Sequence, residues 1–184
     1  MKLLKYLTFT ALLLFFAMMA KAQEEELDVL ELASLLIKNQ NYSRAASVLA
    51  SVEDPDDFQT DRYYTLLGVL NLRQGRIEES IKNLQLAEKS GIESKDQTEF
   101  QETFARALLL GKRYQQAESV LTKQKSLLEK RPLYFQLHSK LNFETARSEQ
   151  GWTVLHSGLS KFPSHMPLMK QKWFYLFDNG LLKA

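Results

Sequence analysis

The stretch Asp61–Ile92, DRYYTLLGVLNLRQGRIEESIKNLQLAEKSGI, decides how this chain is read. Leu67-Gly68 sits in one amphipathic run, Gln74-Gly75 breaks it, and a second run sets Ile77, Ile81, Leu84 and Ala87 on one face. Apolar residues three and four apart share one side of a helix. The stretch therefore predicts two helices joined by a short turn.

Working outward, the same framework recurs. Four stretches start near Glu26, Asp61, Thr98 and Pro132, at spacings of 35, 37 and 34 residues. In the first, Leu32-Ala33 and Leu36 precede a break at Asn39-Gln40-Asn41, and Tyr42, Ala45 and Leu49 follow at helical spacing. The third has Phe104, Ala105 and Leu108, a break at Gly111, then Tyr114, Ala117 and Leu121. The fourth has Phe135 and Phe143, then Gly151, Leu155 and Gly158, closing on Phe162-Pro163. Small residues (Ala45, Ser80, Ala117, Gly151) take one equivalent place in every second helix, and large aliphatics (Leu49, Leu84, Leu121, Leu155) fall four residues later. A small side chain lets two helices approach, and the large one fills the space beside it.

This pattern resembles the tetratricopeptide repeat, a helix–turn–helix unit of about 34 residues with a Leu-Gly pair in its first helix. The likeness covers nearly all of residues 26–163. It departs from the family at Leu32-Ala33, Phe104-Ala105 and His138-Ser139, which replace the Leu-Gly pair. The early aromatic of the first helix is Tyr64 or Phe135 in two units and Val29 or Gln101 in the others. The resemblance implies an all-α chain: an α–α superhelix, or solenoid, of about four helix pairs followed by a C-terminal helix. Such units cannot bury their apolar faces alone, and their stacks usually bind other molecules.

Local signals support the boundaries. Asp54-Pro55 fits an N-cap with proline in the first turn, and Asp96 with Glu99 fits a capping box. Gly75, Gly91, Gly111 and Gly180 stand where left-handed C-terminal caps are wanted. The turn Gly111-Lys112-Arg113 reads as one residue long. No run of alternating β-branched residues and no Gly/Ser- or Pro-rich linker interrupts the helical pattern.

Residues 1–22 read as a signal peptide. Lys2 and Lys5 precede the apolar stretch Leu7 to Ala20, and Ala20-Lys21-Ala22 supplies small residues for cleavage before Gln23. The stretch is short against the ~20 residues of a membrane span. Export to the periplasm or beyond is expected, with residues 23–165 as the repeat domain and 166–184 as an aromatic terminal helix. The leader holds Lys2, Lys5 and Lys21 and no acid. Its removal leaves 21 of the 24 Lys and Arg against 22 Asp and Glu, so the net charge falls from +2 to −1. Nucleic acid and anionic membrane thereby lose their electrostatic case.

No catalytic, cofactor or metal site is expected. Cysteine is absent, so thiol chemistry and disulfides are excluded. His138, His156 and His165 lie outside the three- or four-residue spacing of a helical metal pair. Ser157 lacks a nucleophile elbow. The acidic clusters Glu24-Glu25-Glu26 and Asp54 to Asp57 lack calcium-loop spacing.

By the resemblance, first-helix residues line a concave groove: Leu30, Ser34 and Lys38, then Thr65, Val69 and Arg73, then Glu102, Arg106 and Leu109, then Gln136, Lys140 and Phe143. One basic residue per unit beside apolar neighbours suits an extended peptide with an acidic or hydrogen-bonding component. Relatives that clamp a carboxylate tail use Lys and Asn where this chain has mostly Leu, Thr, Glu and Gln, so that function is not carried over. The C-terminal Trp173, Phe174 and Phe177 belong to five consecutive large apolar or aromatic residues, which point all around a helix. The preceding unit can cover only part of them. Two functions follow: a non-enzymatic adaptor of the bacterial cell envelope that holds a protein partner in its groove, or a structural segment of a longer or self-associating solenoid.

Overall fold

The computed structural model describes residues 28–53 and 59–178, and among them there are ten helices and no strand. The fold is all-α. The described residues form two compact units divided between Val52 and Glu53. The first holds α1 (Val29–Lys38) and α2 (Tyr42–Ala50). The second holds α3 (Thr60–Arg73), α4 (Ile77–Ser90), α5 (Gln97–Leu110), α6 (Tyr114–Lys123), α7 (Lys125–Leu128), α8 (Pro132–Glu144), α9 (Ser148–Lys161) and α10 (Met166–Asp178).

Helices pair in sequence order, α1 with α2, α3 with α4, α5 with α6 and α8 with α9. In the second unit each new first helix rests on both helices of the preceding pair: α5 on α3 and α4, α8 on α5 and α6, α10 on α8 and α9. That is α–α superhelical stacking. The single turn α7 lies outside the paired framework and buries Leu128 against the core.

The pairing follows from the small and large residues of the second helices. Ala45, Ser80 and Ala117 are fully buried, Gly151 is buried, and Leu49, Leu84, Leu121 and Leu155 have no exposed surface. Their partners twelve residues earlier, Ala33, Gly68, Ala105 and Ser139, are buried too. At Gly68 a Cβ would lie 2.6 Å from Leu84 Cγ, and the Ser80 hydroxyl donates to the Gly68 carbonyl at 2.7 Å. The aromatic place taken by Gln101 is also buried, and its side-chain oxygen has no partner.

All four turns inside the pairs share one design. Gln40, Gly75, Lys112 and Ala146 have φ of 60°, 76°, 56° and 59°. The next amide returns to the third-last helical carbonyl: Asn41 to Leu36, Arg76 to Asn71, Arg113 to Leu108 and Arg147 to Asn142, at 2.8–2.9 Å. These are Schellman caps. Two expectations are corrected here. Gly111 has φ −78° and precedes the left-handed residue, which is Lys112. The turn at Gly111-Lys112-Arg113 is also as long as the others, three residues between helices. Gly75 and Gly91 are left-handed as expected, while Gly180, Asp54-Pro55, the leader and both acidic clusters lie outside the described residues.

The capping box at Asp96 does not form. Its backbone is already near-helical (φ −97°, ψ −9°), which turns the side chain away from the first amides, and it makes no cap hydrogen bond. Asp28 does cap α1, its carboxylate accepting from Leu30 N at 2.9 Å.

A non-glycine residue in the left-handed region carries a strain of about 1–2 kcal/mol. Ala146→Gly is therefore expected to stabilise the chain, by about 1 kcal/mol once the greater freedom of unfolded glycine is counted. Urea unfolding checks it; a loss of stability would mean that the methyl makes contacts worth more than the strain.

Candidate functional site

The first helices α5 and α8 and the terminal helix α10 enclose a cleft of about 560 Å³. Leu109 and Leu110 of α5, Leu133 and Leu137 of α8, and Phe174 and Tyr175 of α10 make it apolar. Arg106, Lys140 and Lys170 bring three cations to it against the single carboxylate of Glu144. Gln136 and Gln171 supply neutral polar groups. An apolar hollow with a few convergent polar groups is the ordinary form of a binding site.

Its polar groups are unevenly satisfied. The Gln171 amide donates to the Gln136 carbonyl and to Ser139 Oγ, both at 3.1 Å, while its own oxygen is buried without a partner. Burial, and then the like charge of Arg73, lower the Arg106 guanidinium from its ordinary value, with Glu102 opposing. Glu102 is itself taken up by Arg131, whose Nε lies 2.9 Å away. The geometry makes an ion pair without a hydrogen bond, since that Glu102 oxygen remains unsatisfied. Arg106 is thus a half-buried cation whose charge Glu102 offsets only in part.

Burial raises the Glu102 carboxyl above its ordinary value, Arg131 opposes this, Glu99 adds to it and Arg106 opposes. A carboxyl raised in the folded state binds more protons folded than unfolded. Its contribution is therefore lost as pH rises from the unfolded value, about 4.3, through the higher folded one. Glu102→Gln should gain on the wild type as pH rises from 4 to 7. Urea unfolding at both pH values tests this, and a constant difference would contradict it.

The groove residues expected from sequence are placed as follows. Arg106, Leu109, Gln136 and Lys140 line the cleft. Arg73 is exposed at the end of α3, Val69 is half-buried on the same helix, and Lys38 is exposed at the end of α1 in the first unit. Leu30 and Glu102 are buried. Phe143 is a packing residue: its ring stacks on Tyr175 with centroids 3.8 Å apart, meets Trp152 edge-on, and would lie 3.0 Å from a Cβ at Gly151. The cleft position at that level is Glu144. The first two groove sets step by four residues, and keeping that step from Arg106 and Lys140 leads to Leu110 and Glu144, both on the cleft.

The terminal aromatics divide. Tyr175 is half-buried on Phe143, whereas Trp173, Phe174 and Phe177 are exposed, with Phe174 on the cleft wall. Among the histidines, His138 Nδ1 bonds the Tyr134 hydroxyl at 2.9 Å, and His156 meets Trp152 in a tilted contact with centroids 5.8 Å apart. Burial and then Arg147 push the His138 pKa down, which favours the neutral ring. No group of three metal-ligating side chains occurs among the described residues, and no helix among them is long and apolar enough to cross a membrane.

Comparison with protein-family models, with curated proteins and with solved structures finds no match to this chain.

Proposed function

We propose that this chain is an exported, non-enzymatic binding protein of the tetratricopeptide-like type, which holds a protein partner of the cell envelope in its groove. The observation that carries the reading is the cleft between α5, α8 and α10, where apolar walls meet Arg106, Lys140 and Lys170. Its ligand is an extended peptide with an acidic group near the three cations and an apolar side chain against Leu133, Leu137 and Phe174. Support for export comes from Lys2 and Lys5, the apolar stretch after them and the Ala20-Lys21-Ala22 site.

Affinity capture from an envelope extract tests this. The wild type should retain a partner that Arg106→Gln with Lys140→Glu loses by about 30-fold or more, equivalent to about 2 kcal/mol, with helicity nearly unchanged. Equal capture by the double variant would mean that the cleft is only solvated surface.

A further inference from the structure

The third helix pair departs from its neighbours at two equivalent places, and a second pocket stands there. The early aromatic of the first helix and a small residue late in the second are Tyr64 and Ala87 in the second unit, and Phe135 and Gly158 in the fourth. In the fourth the two are in close contact, since a Cβ at Gly158 would lie 2.5 Å from Phe135 Cβ. The spacings of 37 and 34 residues place Gln101 and Gln124 at these positions in the third unit. Both glutamines line a pocket of about 220 Å³ between α4, α5 and α6. It lies on the far side of α5 from the cleft: at about 100° per residue, Gln101 and Phe104 sit roughly opposite Arg106 and Leu110. The two hollows share no lining residue. Gln101 is 3% exposed, and its Oε1 is buried without a partner. A buried amide oxygen left unpaired is destabilising where an aromatic ring would not be. No hydrogen bond to a described residue holds this amide. The last torsion of glutamine is broad and roughly twofold, so either its nitrogen or its oxygen can be turned to the pocket.

The remaining walls define what the pocket accepts. Gln85, Gln116 and the Ser119 hydroxyl line it beside the glutamine pair. Four amides and one hydroxyl set hydrogen-bond donors and acceptors side by side. Charge is confined to Glu88 and Lys123, which are exposed and opposite in sign. An ion of either sign therefore finds no net attraction. Phe104 is 4% exposed, which leaves almost no ring face for a planar base to stack on. Val120 adds a half-buried apolar patch. The volume holds roughly seven waters at ~30 Å³ each, enough for one saturated ring with its hydroxyls. We propose that this pocket binds one neutral pyranose sugar. Each sugar hydroxyl both donates and accepts, as the amides around it do, and a C–H face of the ring rests on Val120. A ring without hydroxyls would leave the amides unpaired and is rejected. A free monosaccharide and the end of a polysaccharide present the same chemistry to the pocket.

Saturation-transfer NMR on the purified full chain tests this, with neutral hexoses, their N-acetylated forms and their methyl glycosides as probes. At least one should bind with a Kd of about 1 mM or below, while cyclohexanol and adenine should not. Gln101→Phe with Gln124→Gly copies the Phe135–Gly158 pair and fills the pocket with a ring. It should keep its helicity, melt no lower than the wild type and lose sugar binding by about tenfold or more. Gln116→Ala, at an exposed position of α6, should weaken binding about threefold, which separates loss of contact from loss of fold. A methyl glycoside that binds as well as the free sugar identifies a polymer end as the source; binding of the free sugar alone identifies a small molecule. No binding of any of these sugars at about 10 mM, ten times that Kd, overturns the proposal. So does binding that the double variant or Gln116→Ala retains in full, or tighter binding of adenine or of a charged sugar. Arg106→Gln with Lys140→Glu should leave sugar binding unchanged, so failure of the cleft reading and failure of this one are told apart.

Discussion

Leu84→Ala is expected to destabilise the chain by about 2–5 kcal/mol, the range for emptying a fully buried leucine site. Leu84 has no exposed surface, and its side chain occupies the space that the absent Cβ of Gly68 leaves free. The reverse change, Gly68→Ala, adds a methyl that would lie 2.6 Å from Leu84 Cγ. It should lose about 1–3 kcal/mol by overpacking, reduced somewhat by the better helix propensity of alanine. The two substitutions should not be additive: in the Leu84→Ala background the new methyl enters a cavity, and Gly68→Ala becomes neutral or stabilising. Urea unfolding of the four proteins measures the coupling. Additive effects would show that the two residues do not share one contact, and that the helix pairing is wrong.

Gly158→Val should destabilise by about 3 kcal/mol, at or above the upper end of ordinary overpacking. A Cβ there would stand 2.5 Å from Phe135 Cβ and 2.8 Å from Cγ. Leu84 meets the Gly68 position with the middle and end of a branched side chain that can change rotamer. Phe135 meets Gly158 with its own Cβ, which moves only with the backbone of α8. Separating α8 from α9 would also disturb the Phe135–Phe162 contact, with centroids 6.0 Å apart, and the wall that α8 gives to the cleft. Thermal and urea unfolding test the value; a loss under about 0.5 kcal/mol, the range of ordinary surface changes, would contradict the close α8–α9 approach.

The helix pairs were legible because their signal is local and chemical. Small and large residues at fixed spacing, as at Ala117 and Leu121, specify a contact between helices whatever surrounds them. The turns were legible only in position. The left-handed residue of a Schellman cap is fixed by where the helix ends, and Gln40, Lys112 and Ala146 occupy it without being glycine. Looking for glycine therefore pointed to Gly111, one residue early. The cleft was half legible. Arg106, Gln136 and Lys140 follow from the step of four along first helices, but the expected Phe143 breaks that step and packs inward, and Glu144 lines the cleft instead. The third wall depends on which side of α10 turns inward. Five successive large residues do not show that Tyr175 stacks on Phe143 while Trp173 stays outside; the 34-residue spacing from α8 gives Tyr175 the buried place of Leu141, but it also gives Trp173 the buried place of Ser139.

The most direct test places a photoreactive amino acid at Lys140, on the cleft, in the native envelope, and identifies the attached peptide by mass spectrometry after irradiation. One partner protein should be attached through a segment that carries an acidic residue beside an apolar one, and Arg106→Glu in the same chain should abolish the adduct. No adduct at Lys140, or equal labelling from Ser157 on α9, would contradict a binding cleft between α5, α8 and α10.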